Sequence, residues 1–181
     1  MTAINSYAIK KRIVFSISLL VLGILSVSSV KAVETILLVP DWNQDRILSF
    51  DSVDGHLLNE NLIVDSVNLQ SPKSVIASGQ GTILVSDQFK DAIYEYGLEG
   101  SFIRVVANLS TNGIDNVRGI AVSNDTLYIT VGSGIYGNTI RSILLTSPYA
   151  EQTWANLALS NPYDILFLYS IHTHQFYRAI S

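Results

Sequence analysis

The sequence predicts an all-β protein built from repeated four-stranded antiparallel sheets, and three observations lead to this fold class. Beyond residue 33, short runs of β-branched residues alternate with clusters of Gly, Asn, Asp and Ser, as strands and tight turns require. No stretch of this region repeats its apolar residues with the period of a helix. The third observation is an internal repeat with a period of 45 residues.

Three segments of the chain align on one another at this period. Each contains an apolar strand that leads to a polar turn, and the first two continue into a second apolar strand. The segments are SPKSVIASGQGTILVSD (71–87), NVRGIAVSNDTLYITV (116–131) and NPYDILFL (161–168). Their central apolar residues, Val75, Ile120 and Ile165, stand 45 residues apart each time.

An earlier copy of the unit begins near residue 36 and lacks the first strand. Its Asp41, like Asp87 of the next copy, stands six residues before an apolar residue, and an aromatic residue follows three positions later. A glycine, Gly55 or Gly100, then marks a turn. Units of this length with four strands are typical of the blades of a β-propeller, in which neighbouring blades cover each other's apolar faces. The sequence therefore predicts a partial propeller over residues 33–168, with about three blades and the start of a fourth.

Two of these segments carry a family resemblance. NVRGIAVSNDTLYITV (116–131) and ILVSDQFKDAIYEY (83–96) resemble the pattern PxGIAV…LYVxD…NxRIxxF…G of NHL-repeat-type β-propellers, and more distantly the gluconolactonase/regucalcin-like propellers. The resemblance spans residues 36–168 and implies a ring of about six blades. We therefore expect a truncated product, with the assembly of two half-rings as the alternative. Exposed apolar faces on the end blades predict self-association.

The two ends of the chain differ from this repeat. Residues 1–32 carry Lys10, Lys11 and Arg12, then an apolar run over residues 13–30, and close on VKA, which is the order of a secretory signal. We expect cleavage between Ala32 and Val33 and export to the periplasm or the extracellular space. The alternative is an uncleaved membrane anchor over residues 13–30. Residues 169–181 contain no Gly, Asn or Asp, so we expect an out-of-register tail without the turns of a blade.

Composition limits the partners of the chain. Without residues 1–32, seven Lys and Arg remain against fifteen Asp and Glu, a net charge of −8. This acidic balance argues against nucleic-acid binding, which needs a basic surface. The chain contains no cysteine, which excludes disulfides, thiolate metal sites and cysteine nucleophiles.

Candidate binding residues come from the start of the innermost strand of each blade, which lies at one mouth of the propeller channel. In the gluconolactonase-like enzymes, carboxylate and amide side chains hold a divalent metal there. The matching residues here are Lys73, Arg118 and Tyr163, none of which is a good ligand for a hard cation. We therefore expect no metal site and no cofactor. We name these three residues as candidates for binding an anionic or carbohydrate ligand or a protein.

Other motifs favour structural interpretations. The GxGxxG of residues 132–137 follows a predicted strand, but the next residues do not predict the helix of a dinucleotide site, so we expect a hairpin. His172 and His174 could share a metal, yet no third ligand of matching position is visible. Asp41 and Asp87 are expected to bond to backbone N–H groups in the turns that follow them.

The sequence thus predicts an exported propeller segment that binds a ligand or protein without catalysis. A metal-dependent lactonase or hydrolase and a non-functional fragment remain as alternatives.

Overall fold

The computed structural model describes residues 35–146, 151–155, 159–168 and 177–180, and of these only the backbone for 151–155 and 177–180. Residues 1–32, expected from the sequence to form an N-terminal signal helix, lie outside the described residues. These residues form thirteen strands and one short 3₁₀ turn, Ser110–Asn112. The strands are β1 (Ile36–Asp41), β2 (Arg46–Asp51), β3 (Leu57–Val64), β4 (Pro72–Ala77), β5 (Thr82–Asp87), β6 (Ala92–Gly97), β7 (Phe102–Asn108), β8 (Ile114–Ser123), β9 (Thr126–Gly134), β10 (Thr139–Leu144), β11 (Glu151–Ala155), β12 (Asp164–Phe167) and β13 (Tyr177–Ile180).

The strands form successive antiparallel sheets in chain order. Blade 1 contains β1–β3, blade 2 contains β4–β7 and blade 3 contains β8–β11, while β12 and β13 form a two-stranded sheet. Equivalent residues of blades 2 and 3 pair identically, since Val75 lies opposite Val85 and Ile120 opposite Ile129. The predicted all-β partial propeller, with about three blades and the start of a fourth, is confirmed. No helix in the described part of the chain is long and apolar enough to cross a membrane.

Apolar side chains pack in layers between successive sheets. Neighbouring residues of a strand point to opposite faces, so Val75 packs toward blade 1 while Ile76 packs toward blade 3. The buried residues that form the three layers include Ile47, Ile63, Ile83, Val85 and Tyr96, then Leu84, Ile93, Val117, Ile120 and Leu127, and finally Ala121, Ile140 and Ile165. Each blade is thus stabilised mainly by its neighbours.

One turn of each blade repeats the same backbone conformation. The turn between β1 and β2, like those between β5 and β6 and between β9 and β10, ends on a residue with positive φ. These residues are Asp45 (55°), Asp91 (47°) and Asn138 (62°). Asp and Asn tolerate this left-handed conformation better than other non-glycine residues, which explains their recurrence.

Buried tyrosines predict how the fold responds to alkaline pH. Burial, with smaller contributions from the charges of Asp87 and Asp65, raises the pKa of Tyr94 to about 12, whereas an unfolded tyrosine titrates near 10. Burial and Asp65 also raise the pKa of Tyr96, whose hydroxyl donates to Asp65 Oδ2 at 3.1 Å. The contribution of the protonated Tyr94 to the free energy of unfolding is therefore complete below pH 10 and is lost as pH rises toward 12.

We expect the free energy of unfolding to fall between pH 10 and 12, and to fall less steeply in Tyr94→Phe. Urea unfolding followed by circular dichroism at several pH values measures both slopes. Tyr163→Phe is the matched control because that side chain is 55% exposed. An unchanged slope in Tyr94→Phe would contradict the prediction.

Candidate functional site

One end of the blades carries the candidate residues of the channel mouth. Because the strands alternate in direction, the start of an innermost strand (β4, β8 or β12) lies at the same end as the turn after β1, β5 or β9. We call the polar and aromatic residues of this end the rim. The rim consists of Trp42, Lys73, Gln88, Asn116, Arg118 and Tyr163.

Lys73 and Trp42 form the first pair of the rim. Lys73 follows the first residue of β4, and its Nζ lies 4.5 Å from the centre of the Trp42 ring. Trp42 stands in the turn after β1 and is 59% exposed. The ring attracts the ammonium group through its quadrupole, so the cation is held over a solvent-facing aromatic surface.

Arg118 and Tyr163 form the second pair. The guanidinium carbon of Arg118 lies 5.2 Å from the centre of the Tyr163 ring. Arg118 also donates from Nε to Asn116 Oδ1 at 3.0 Å and from Nη1 to Asn161 Oδ1 at 2.8 Å. The Asn116 oxygen accepts a further hydrogen bond from the Gln88 side chain. The structure thus brings two of the three predicted residues together, and the side-chain hydrogen bonds of the guanidinium go to neutral amide oxygens.

A glycine in β9 makes room for this arrangement. A Cβ atom on Gly132 would lie 2.6 Å from Asn116 Nδ2 and 3.0 Å from Arg118 Cζ. The first glycine of the GxGxxG segment therefore allows the two side chains to cross the strand closely. The rest of the segment completes β9 and the turn to β10, where Thr139 pairs with Val131, so the predicted hairpin is confirmed.

Hydroxyl groups hold the backbone of the rim. Ser86 in β5 donates to the carbonyl oxygen of Arg118, and Thr130 in β9 donates to that of Tyr163 at 3.3 Å. Each hydroxyl reaches from one blade to the innermost strand that follows. The equivalent position of blade 1 is Pro40, which has no hydroxyl group to offer Lys73. Arg118 and Tyr163 are therefore more firmly positioned than Lys73.

Two carboxylates at the same end, Asp87 and Asp91, bond to backbone N–H groups, whereas Asp115 and Asp164 at this end are exposed. Asp87 is fully buried: its Oδ1 accepts from the N–H groups of Phe89 and Lys90 at 3.0 Å each. Its Oδ2 accepts from Gln70 and Ser71 at 2.7 Å each. The prediction that Asp87 bonds to the following turn is confirmed, and Asp41 does the same through the N–H of Asn43 at 3.3 Å.

Asp91 links blade 2 to blade 3 in a similar way. Its Oδ1 accepts from the N–H of Asn116 at 2.7 Å. Burial raises the pKa of Asp91 above its usual range, and the hydrogen bonds from Asn116 and Val117 offset only part of this effect. Asn138 repeats the link one blade later, since it accepts from the N–H of Asn161 at 2.8 Å. The acidic chain therefore presents cations and aromatic rings at the rim while these carboxylates bind backbone.

A possible cation cluster lies at the opposite end of blade 1. Asp51, Asp54 and His56 place their ligand atoms within 4.8 Å of one another, in the turn between β2 and β3. His56 Nδ1 lies 2.6 Å from Asp54 Oδ1, and hydrogen bonds from the backbone and side chain of His56 lower the pKa of Asp54. These contacts account for the cluster as a surface turn. His172 and His174 lie outside the described residues.

Sequence reasoning missed half of the rim. It named Lys73, Arg118 and Tyr163 but not Trp42, Gln88 and Asn116. Asn116 could have been found, because Asn161 follows it after 45 residues and both adopt positive φ, at 66° and 54°. Trp42 and Gln88 share the position directly after Asp41 and Asp87, but their side chains differ, so the repeat alone does not reveal a common role.

Comparisons with known proteins identify the architecture. No protein-family model matches the chain, and no curated protein matches it. Among solved structures, a nidogen/laminin complex aligns with a TM-score of 0.60 and 20% identity over 74% of this chain and 48% of that chain. A streptogramin B lyase aligns with a TM-score of 0.51 and 15% identity, over 72% of this chain and 40% of that one. The chain thus spans less than half the length of either. These likenesses, together with the successive four-stranded sheets, show a fold related to the β-propeller.

Proposed function

We propose that this chain is an exported, non-catalytic binding module that recognises an acidic segment of a partner protein through the rim. One observation carries the proposal. Lys73 and Arg118 lie over the rings of Trp42 and Tyr163. At the same end, carboxylate oxygens of Asp87 and Asp91 accept hydrogen bonds from backbone N–H groups. Both cations are thus presented beside aromatic rings at the rim of an acidic chain.

The chemistry of the rim suits carboxylates. A planar guanidinium binds a carboxylate through two parallel N–H groups, and exposed aromatic rings cover the apolar stems of the bound side chains. Trp, Tyr and Arg are also the residues enriched where protein interfaces gain most of their free energy. The name of one similar structure, a nidogen/laminin complex, describes an assembly of two proteins, which is compatible with such a role.

Binding to defined polyanions tests the proposal. We expect the purified chain to bind a poly-glutamate peptide at low ionic strength and to release it as salt is added. Because Arg118 lies centrally in the rim, Arg118→Ala should weaken this binding about tenfold, which corresponds to about 1.4 kcal/mol. Lys73→Ala should weaken it less. Isothermal titration calorimetry measures each affinity.

The control is Arg46→Ala, since Arg46 pairs with Asp41 and Glu60 at 3.2 and 2.9 Å rather than with an aromatic ring. Its affinity for the peptide should equal that of the unaltered chain. Polygalacturonate and neutral dextran serve as second and third probes. Stronger binding of polygalacturonate than of the peptide would reassign the rim to acidic carbohydrate. Equal affinity of the unaltered chain, Arg118→Ala and Arg46→Ala for the poly-glutamate peptide would contradict a role for Arg118.

A further inference from the structure

In the part of the chain that the structure describes, blade 1 has no innermost strand of the kind that blades 2 and 3 possess. In blade 2 this position belongs to β4, which pairs with β5, and in blade 3 it belongs to β8, which pairs with β9. Blade 1 begins directly with β1, the equivalent of β5 and β9. Within the described residues, the second edge of β1 has no strand beside it. An unpaired strand edge of this kind is a template for a further strand.

The chain also contains one innermost strand beyond those that its blades use. Ile165 of β12 follows Val75 and Ile120 at the period of 45 residues, and it packs against blade 3 as a fourth blade would. Its partner β13 does not resemble β5 or β9, because YRAI lacks their run of aliphatic residues. Residues 168–176 separate β12 from β13, whereas residues 78–81 and 124–125 suffice in blades 2 and 3.

The missing strand and the surplus strand match each other. We propose that two copies of this chain close one ring of six four-stranded blades, with β12 of each copy pairing with β1 of the other in place of β13. Exchange of an identical element between two copies gives a closed, two-fold symmetric dimer without any new type of contact. Each copy then contributes three sheets and one exchanged strand.

The register of the exchanged strand follows from the two complete blades. Val75 pairs with Val85 and Ile76 with Leu84, and blade 3 repeats this as Ile120 with Ile129 and Ala121 with Tyr128. The equivalents of the β5 and β9 residues in β1 are Val39 and Leu38. The exchange therefore pairs Ile165 with Val39 and Leu166 with Leu38 of the second copy.

Exposed apolar side chains lie where this ring would cover them. Leu37 and Leu57, which both pair with Phe50, share the face of blade 1 that points away from blade 2, and they are 54% and 46% exposed. At the other end of the chain, Leu166 in β12 is 55% exposed. Ring closure places the exposed face of blade 1 against blade 3 of the second copy. It places Leu166 against blade 2 of the second copy.

Cysteine cross-linking tests the exchange directly, because the chain has no cysteine of its own. Full-length Val39→Cys and Ile165→Cys chains are mixed in a mild detergent, partly unfolded and refolded together, and oxidised with copper phenanthroline. We expect a disulfide-linked product of twice the chain's mass from the mixture and little from either variant alone. Within one chain, Val75→Cys with Val85→Cys is the positive control for this register.

Two further variants make the outcome decisive. A mixture of Val39→Cys with Val105→Cys, an exposed residue of β7, should give no linked dimer. Ile165→Cys combined with Ala179→Cys in one chain reports the alternative, because these residues pair in the β12–β13 hairpin. An intrachain disulfide in that variant, with no linked dimer from the first mixture, would overturn the proposal and leave β12 with β13. A linked dimer in the first mixture together with a two-chain mass by light scattering would support it.

Discussion

Asp87→Ala is expected to lower the free energy of unfolding by about 3–5 kcal/mol. The carboxylate is fully buried and accepts four backbone hydrogen bonds, two from the turn after β5 and two from Gln70 and Ser71. Hydrogen bonds to a charged group contribute more than neutral ones, and alanine would leave one buried and three partly buried N–H groups without this acceptor. Urea unfolding followed by circular dichroism measures the loss.

Asp41→Ala is the matched control, because Asp41 ends β1 as Asp87 ends β5. Its Oδ1 accepts only the N–H of Asn43, and its Oδ2 faces Arg46 at 3.2 Å on a partly exposed surface. We expect a loss of about 0.5–1 kcal/mol, the usual range for such contacts. Asp87→Asn should fall between the two, since an amide offers one acceptor oxygen in place of two. Equal losses for Asp41→Ala and Asp87→Ala would show that burial of the carboxylate matters little.

The repeat made the fold predictable from sequence, and the contacts of Asp87 show which details could be predicted and which could not. The 45-residue spacing of Val75, Ile120 and Ile165 correctly places one innermost strand in each unit, because each strand fills the same position between blades. The turn role of Asp87 also followed from its place at a strand end. The hydrogen bonds that Asp87 accepts from Gln70 and Ser71 could not be predicted from the sequence. They join two segments whose contact depends on the register of the strands.

The candidate site was less predictable than the fold. The period identifies Lys73, Arg118 and Tyr163 as equivalent positions, but it does not say which aromatic ring each cation meets. Arg118 packs on Tyr163 of the following innermost strand, whereas Lys73 packs on Trp42 of the preceding blade. Side chains of different length and shape at one repeat position choose different neighbours, so their partners emerge only from the packed structure. That these residues bind a ligand stays a prediction, as do export and truncation.

Gly100→Ala should destabilise the fold by about 3 kcal/mol, which for a domain of this size lowers the melting temperature by roughly 6–12 °C. Gly100 lies in the turn between β6 and β7 with φ of 84°. A Cβ atom there would lie 1.8 Å from the carbonyl oxygen of Leu62 in β3, inside any permitted contact. Because the obstacle is backbone of the neighbouring blade, relief requires that blades 1 and 2 move apart or that the turn refolds.

Gly55→Ala separates this contact from the cost of the backbone conformation. Gly55 holds the equivalent turn of blade 1 with φ of 77°, but a Cβ atom there would meet nothing within 4 Å. The left-handed conformation alone costs an alanine about 1–2 kcal/mol, and we expect no more than this in Gly55→Ala. The excess loss in Gly100→Ala then measures how closely blade 2 packs against β3. If the two variants instead unfold at the same temperature, the turn between β6 and β7 can change its conformation to accommodate the Cβ atom. The close packing of blades 1 and 2 at Leu62 would then contribute nothing to stability.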